Sequence, residues 1–279
     1  FEYHFESSTN ERVLAELAHF QNDDGGFGRA LEPDLRTPSS SALATGIGLC
    51  LLQELRCSAD HPMVHSAVSY LITTYHDDIQ SWAVVPTDTN SFPHAPWWHD
   101  TNGNLAQRFD HFRIIPRARL VGSLHHFSSL VHADWLDRVL EATVRYVEEV
   151  EVLGGGGGSD LEYAINLAET ENLPQHNRVR LNPRIRNAIP AAIVRDPLKW
   201  DTYCITPLKA VPTPRSLGAD LIQDELQLHL DYQIEHQTSA GTWEPTWSWG
   251  GHYPDVWEQA KQEWRGHLTL ETLKTFKAI

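Results

Sequence analysis

The chain has 279 residues, 41% hydrophobic and 21% charged, with a formal net charge of −15. These proportions are those of an ordinary globular protein, and the charge speaks against non-specific binding to nucleic acid or acidic lipid, which needs a basic surface. No apolar run reaches the roughly 18 residues of a membrane span, and the opening FEYHFESSTNERV lacks the basic and apolar regions of a secretory signal.

Three cysteines, Cys50, Cys57 and Cys204, do not make a disulfide framework, so a reducing cytoplasm is the expected compartment. Ten tryptophans point to an aromatic-lined cavity or groove.

A helical stretch near the start ends at Gln21, followed by Gly25 four residues later and Phe27 six residues later. Such a spacing predicts a Gly turn with positive φ, an aromatic packed back into it, and a Gln that bonds freed backbone groups. The cluster Thr37-Pro38-Ser39-Ser40-Ser41 supplies capping hydroxyls for the helix that follows. Between turn and cap lies Leu31-Glu32-Pro33-Asp34-Leu35-Arg36. Two carboxylates with an Arg beside them suit an acid and the group that tunes it, or else a solvated loop with an internal ion pair.

Periodicity predicts a helix over 62–76, and Trp82 then falls six residues after His76 in a worn copy of the same turn. Residues 83–102 read as extended. They contain Phe92-Pro93-His94-Ala95-Pro96-Trp97-Trp98-His99-Asp100, in which His94 is a candidate acid or base and Trp97, Trp98 and His99 are candidate pocket walls. The bland reading is a loop that plugs the core.

Helices follow at 104–130, broken near Pro116, and at 134–151. Gly154 to Gly158 with Ser159 has the composition of a flexible or engineered linker. Helices are predicted again at 159–173 and 177–194, where Arg178, Arg180, Arg184 and Arg186 either grip a diphosphate or form a solvated face. A Pro-rich strap over 196–218 carries Asp201 and Tyr203. After a helix at 219–236 the turn recurs as Gln237, Gly241 and Trp243. It runs into a cluster with Trp247, Trp249 and Tyr253, and a last helix spans 255–277.

The run Gln21-Asn22-Asp23-Asp24-Gly25-Gly26-Phe27-Gly28 resembles the Gln–Trp repeat of squalene–hopene cyclases and the GGFGG repeat of protein-prenyltransferase β subunits. The resemblance implies one all-α domain over 1–279, an (α/α) toroid of roughly ten to twelve helices in hairpins. It would be closed by the first and last copies packing together. The family's catalytic motifs do not carry over. No DxDD occurs, and Asp23-Asp24 and Asp77-Asp78 lack the third Asp of DDxxD. Asp201-Thr202-Tyr203-Cys204, with His252 or His267, is one residue too long for the family's zinc pair.

Read together, these features predict an isoprenoid-handling enzyme of non-standard terpene-cyclase type acting on a small-molecule substrate. Asp34, Glu32 and His94 are its candidate catalytic groups. Arg36, Trp82, Trp97, Trp98, His99, Asp201, Tyr203, Trp247, Trp249 and Tyr253 are its candidate binding groups. No metal site is expected, and magnesium would enter only with a diphosphate substrate. Two alternatives stay open: a helical-barrel glycoside hydrolase or lyase using the same carboxylates, and a binding scaffold without chemistry.

Overall fold

A computed structural model describes residues 1–108, 114–155 and 159–279. Among them every regular element is helical, and pairing outside the helices is limited to isolated bridges. By internal contacts the chain divides into two compact units, residues 1–146 with 170–172, and residues 147–169 with 173–279. No helix among the described residues is long and apolar enough to cross a membrane.

The first unit contains α1 (Glu2–Phe5), α2 (Glu11–Ala18), α3 (Ala42–Glu54), α4 (Pro62–Thr73), α5 (Arg117–His126) and most of α6 (Ala133–Glu149). Helix α3 starts where the Ser cluster predicts, with Ser41 Oγ accepting from the Ala44 N–H at 3.0 Å. Its sequence is apolar nearly all round, which fits a helix flanked by both α4 and α5. By contrast α6 buries one stripe, Leu136, Val139, Leu140, Val144 and Val147, at the spacing of a single helix face. The helical stretch predicted over 104–130 in two pieces broken near Pro116 is observed as a π-helical turn at Asn104–Arg108 and α5 after Pro116. Residues 109–113 of that prediction lie outside the described residues.

Helix α5 opens on Arg117, which is only 1% exposed. Its Nε donates to Thr143 Oγ1 at 2.8 Å and its guanidinium lies 4.5 Å over the Tyr146 ring. Burial pushes its pKa down, and Nη2 has no hydrogen-bond partner among the described residues. A buried cation of this kind costs stability.

The second unit contains α7 (Ser159–Glu169), α8 (Gln175–Ala192), α9 (Pro207–Ala210), α10 (Gln223–Glu235) and α11 (Pro254–Ala278). Helix α7 packs on α8 and α9, and α9 on α10. Of the Gly-rich segment, Gly154 has a positive φ and donates its N–H to Asp160 Oδ1 at 3.1 Å; residues 156–158 lie outside the described residues.

The three repeat turns share one local construction. Gln21 Nε2 donates to the Gly25 carbonyl at 2.8 Å, and Gln237 Nε2 donates to the Gly241 carbonyl at 3.1 Å. Gly25 and Gly241 have φ of 89° and 76°, and Gln80, at the same place in the worn copy, is left-handed too at 51°. Indole N–H groups then close the preceding helix: Trp82 donates to Leu71 O at 2.6 Å and Trp243 to Gln233 O at 2.9 Å. A Thr on the next helix takes the aromatic's backbone N–H in both good copies, Thr45 for Phe27 at 2.9 Å and Thr269 for Trp243 at 3.2 Å.

The first turn tolerates no side chain at its glycine. A Cβ on Gly25 would lie 2.4 Å from the Ser66 carbonyl oxygen, and its φ disfavours any other residue. Gly25→Ala is therefore expected to destabilise the first unit by about 1–3 kcal/mol, read as a lower urea midpoint. Gly241→Ala has an equally strained φ but meets only the Gln237 amide at 3.8 Å, so it should cost less.

Candidate active site

Two segments predicted as separate clusters are brought together in the first unit. The Arg36 N–H donates to Pro93 O at 3.1 Å and the Ala95 N–H donates to Asp34 O at 2.8 Å, so Leu35 and His94 face each other as an antiparallel bridge. Their flanks are pinned independently. Thr37 and Ser39 hydroxyls donate to the Asp88 carboxylate at 3.2 and 2.7 Å. Asp100 Oδ1 accepts the Leu105 and Ala106 N–H groups, and Asn90 and Asp100 exchange two bonds.

This pairing buries Glu32, Asp34 and His94, at 7%, 2% and 5% exposure, together with Trp98. Trp98 Nε1–H donates to Glu32 Oε1 at 3.3 Å, and the Asp34 backbone N–H also bonds the Glu32 carboxyl. His94 Nδ1 lies 2.7 Å from the Phe92 carbonyl, which can only accept, so the proton sits on Nδ1. His94 Nε2 lies 3.1 Å from His99 Nδ1, and the two rings stack at 5.3 Å.

Burial, then the Asp34 charge, pushes the Glu32 carboxyl up to about 8; Trp98 and Arg119 oppose this only partly. Glu32 is therefore mostly protonated at neutral pH. A buried carboxylic acid beside a second carboxyl is an arrangement suited to general acid work.

The other predicted residues are distributed as follows. Arg36 belongs to the same segment and donates to Pro33 O at 3.4 Å. Trp97, next to Trp98, is 40% exposed. Trp82 is in the core of the worn turn, edge-on to Tyr75 at 4.9 Å, and serves packing there.

Asp201, Tyr203, Trp247, Trp249 and Tyr253 belong to the second unit. Asp201 accepts the Tyr232 hydroxyl, and Cys204 Sγ points at Lys199 O. Tyr203 OH pairs with Ser159, and Lys209 lies 5.0 Å over its ring. Trp247 sits edge-on to Trp264 at 5.0 Å, and fully buried Trp249 lies 5.7 Å from Trp257. Tyr253, left-handed at φ 46°, precedes α11. Among the described residues no group of three or more His, Cys, Asp and Glu side chains is arranged to hold a metal ion.

Two contributors were not predicted from the sequence. Arg119 acts on Glu32 across the fold, and Asp88 pins the segment that carries the carboxylates. Neither has a periodic signal, although Asp88 in a Pro- and Thr-rich stretch is a residue type that accepts from turn hydroxyls. The chain matches no protein-family model, no curated protein and no solved structure.

The raised pKa of Glu32 has a defined effect on stability. Between about 4.5 and 8 the folded chain holds a proton that the unfolded chain has lost. The contribution is full below 4.5 and is lost as pH rises through 8. Urea midpoints across this window should therefore fall with rising pH, and Glu32→Gln should flatten that slope and be relatively more stable at pH 8.5.

Proposed function

We propose that the chain is an isoprenoid-handling enzyme of cyclase type in which Glu32 is the proton donor, Asp34 its partner, and Trp98 with Trp97 the aromatic wall. The observation that carries this reading is the buried Glu32 carboxyl raised to about 8 beside Asp34. The repeat turns support it as well, and the toroid implied by their resemblance is part of the same reading.

A pKa near the working pH keeps the proton in place but makes the acid weak. It suits delivery to an oxygen of the substrate, such as an epoxide or a leaving group, better than delivery to a bare alkene. The proton moves from the Glu32 carboxyl to that oxygen, the C–O bond breaks with its electron pair going to oxygen, and the carbon becomes cationic. Trp98, held by its own indole N–H against the acid, offers a π face that favours the cation. Glycosidic cleavage would need two carboxyls on opposite sides of the bond, about 5–9.5 Å apart. Glu32 and Asp34 are instead two residues apart on one segment, with the backbone of one bonded to the carboxyl of the other.

The test is a thermal-shift panel of squalene and its epoxide in detergent, prenyl diphosphates with and without magnesium, and oligosaccharides, followed by product analysis. An isoprenoid should raise the melting temperature, and turnover should fall about 10²–10⁴-fold in Glu32→Gln and in Asp34→Asn. A shift with sugars alone would transfer the carboxylates to a glycosidase reading. No shift with any compound would leave a scaffold without chemistry.

A further inference from the structure

Helix α9 is a single short turn, Pro207–Ala210, and its first N–H groups need partners from outside the helix. Pro207 has no N–H, and the Lys209 and Ala210 N–H groups both reach the Thr206 carbonyl, at 3.2 and 3.1 Å. That leaves the Leu208 N–H, which the Thr206 side chain does not cap. It donates instead to Nδ1 of His229 on α10, at 3.3 Å. One helix is thus capped by the imidazole of another.

The cap works in one protonation state only. An N–H can only donate, so His229 Nδ1 is the acceptor and carries no proton. The ring is 2% exposed. Trp200 is edge-on to it at 4.5 Å, Tyr232 is parallel to it at 5.9 Å, and the Gln233 amide lies 3.2 Å from Nε2.

The charged and titratable groups of the surrounding elements are engaged with others. Asp201 accepts the Tyr232 hydroxyl, and Cys204 Sγ points at Lys199 O. Glu225 pairs with Arg195, Lys209 with Glu162, and His236 Nδ1 with Tyr232 O. Among the described residues no carboxylate bonds the His229 ring, and burial pushes its pKa from 6.5 down to about 4.

We propose that His229 is an acid-sensitive latch within the second unit: its neutral ring caps α9, and a proton on Nδ1 turns the acceptor into a donor, so that α9 and the segment before it come away from α10. The sign follows from linkage. Opened, the imidazole regains its ordinary affinity for a proton; closed, it resists protonation down to about 4. The latch therefore holds above pH 6.5 and loosens as pH falls below it. Glu32 acts in the other direction, since its contribution grows as pH falls from 8. Mild acid thus opens part of the second unit while it tightens the first. The latch does not depend on any catalytic role of Glu32.

Amide hydrogen exchange of the full chain between pH 6.5 and 4.5, expressed as protection relative to the unstructured rate, tests this. Protection of the α9 amides, Leu208 to Val211, is expected to fall about tenfold per pH unit, because opening takes up one proton. Protection of α3 should hold or rise. His229→Gln should remove the slope, whereas His236→Gln, at the exposed neighbour, should keep it. Nitrogen NMR of the wild-type rings gives a reading that needs no variant to fold: His229 should carry its proton on Nε2 and titrate only as α9 opens. The proposal is overturned if α9 protection is constant over this range, if it falls in step with α3, or if the slope survives in His229→Gln. A His229 ring that titrates near 6.5 with α9 still protected overturns it equally.

Discussion

One side-chain amide organises the first unit. Gln21 Nε2 gives its two protons to the Gly25 carbonyl at 2.8 Å and to the Met63 carbonyl at 3.0 Å. The first bond closes the Gly turn; the second fixes that turn to the first turn of α4. With the turn fixed, Phe27 has only one place to go. Its ring occupies the space beside Gly48 on α3, where a Cβ would lie 2.6 Å from the ring, and its backbone N–H reaches Thr45. Helix α3 is thereby set against the turn. The segment from Gly28 to Ser41 must then travel from the turn to the cap of α3, and Glu32 and Asp34 are carried on that path.

The cost of this design falls on the carboxylates. Neighbouring carboxyls taken out of water cannot both ionise cheaply. The fold responds by keeping Glu32 neutral rather than by pairing it tightly with a cation, since Arg119 makes only a minor contribution to its titration. Arg117, on the same helix, is handled in the opposite way: among the described residues burial is accepted for a cation accompanied by the Thr143 hydroxyl and by the ring and side-chain hydrogen bond of Tyr146. Among the described residues both sites depart from the usual rule that buried charge is matched by opposite charge. At Glu32 the departure leaves a proton available where the pairing of two segments has brought aromatic and imidazole groups.

Much of this was legible in the sequence, and the reason is periodicity. The helices at 62–76, 134–151, 177–194 and 255–277 are observed within a few residues as α4, α6, α8 and α11; for α6 the reason is an amphipathic stripe, which records the face of a helix that is covered. The repeat turns were legible too, since Gly25 and Gly241 stand where a left-handed residue is needed. The worn copy shows the limit of that reading: Gln80 takes the same conformation without being glycine. The union of 31–36 with 92–100 was not legible. Two irregular segments about sixty positions apart meet through backbone bonds, which leave no pattern in residue type. The Arg run on α8 carried only a charge signal. That Arg180 and Arg186 meet acids depends on Glu148 and Asp220, brought there by other elements.

The placement of the acid pair on a connection, and not on a helix, has an evolutionary consequence. The ends of the connection are held by the turn at one side and by Ser41 at the other, while its middle is tied through main-chain atoms of Asp34, Arg36, Pro93 and Ala95. Main-chain ties are indifferent to side-chain identity. Where a position on this path is tied by its main chain alone, its side chain can be exchanged while the helices keep their packing, whereas Thr37 and Ser39 are also held through their hydroxyls to Asp88. The scaffold is in this sense a conservative frame around a chemically permissive strip.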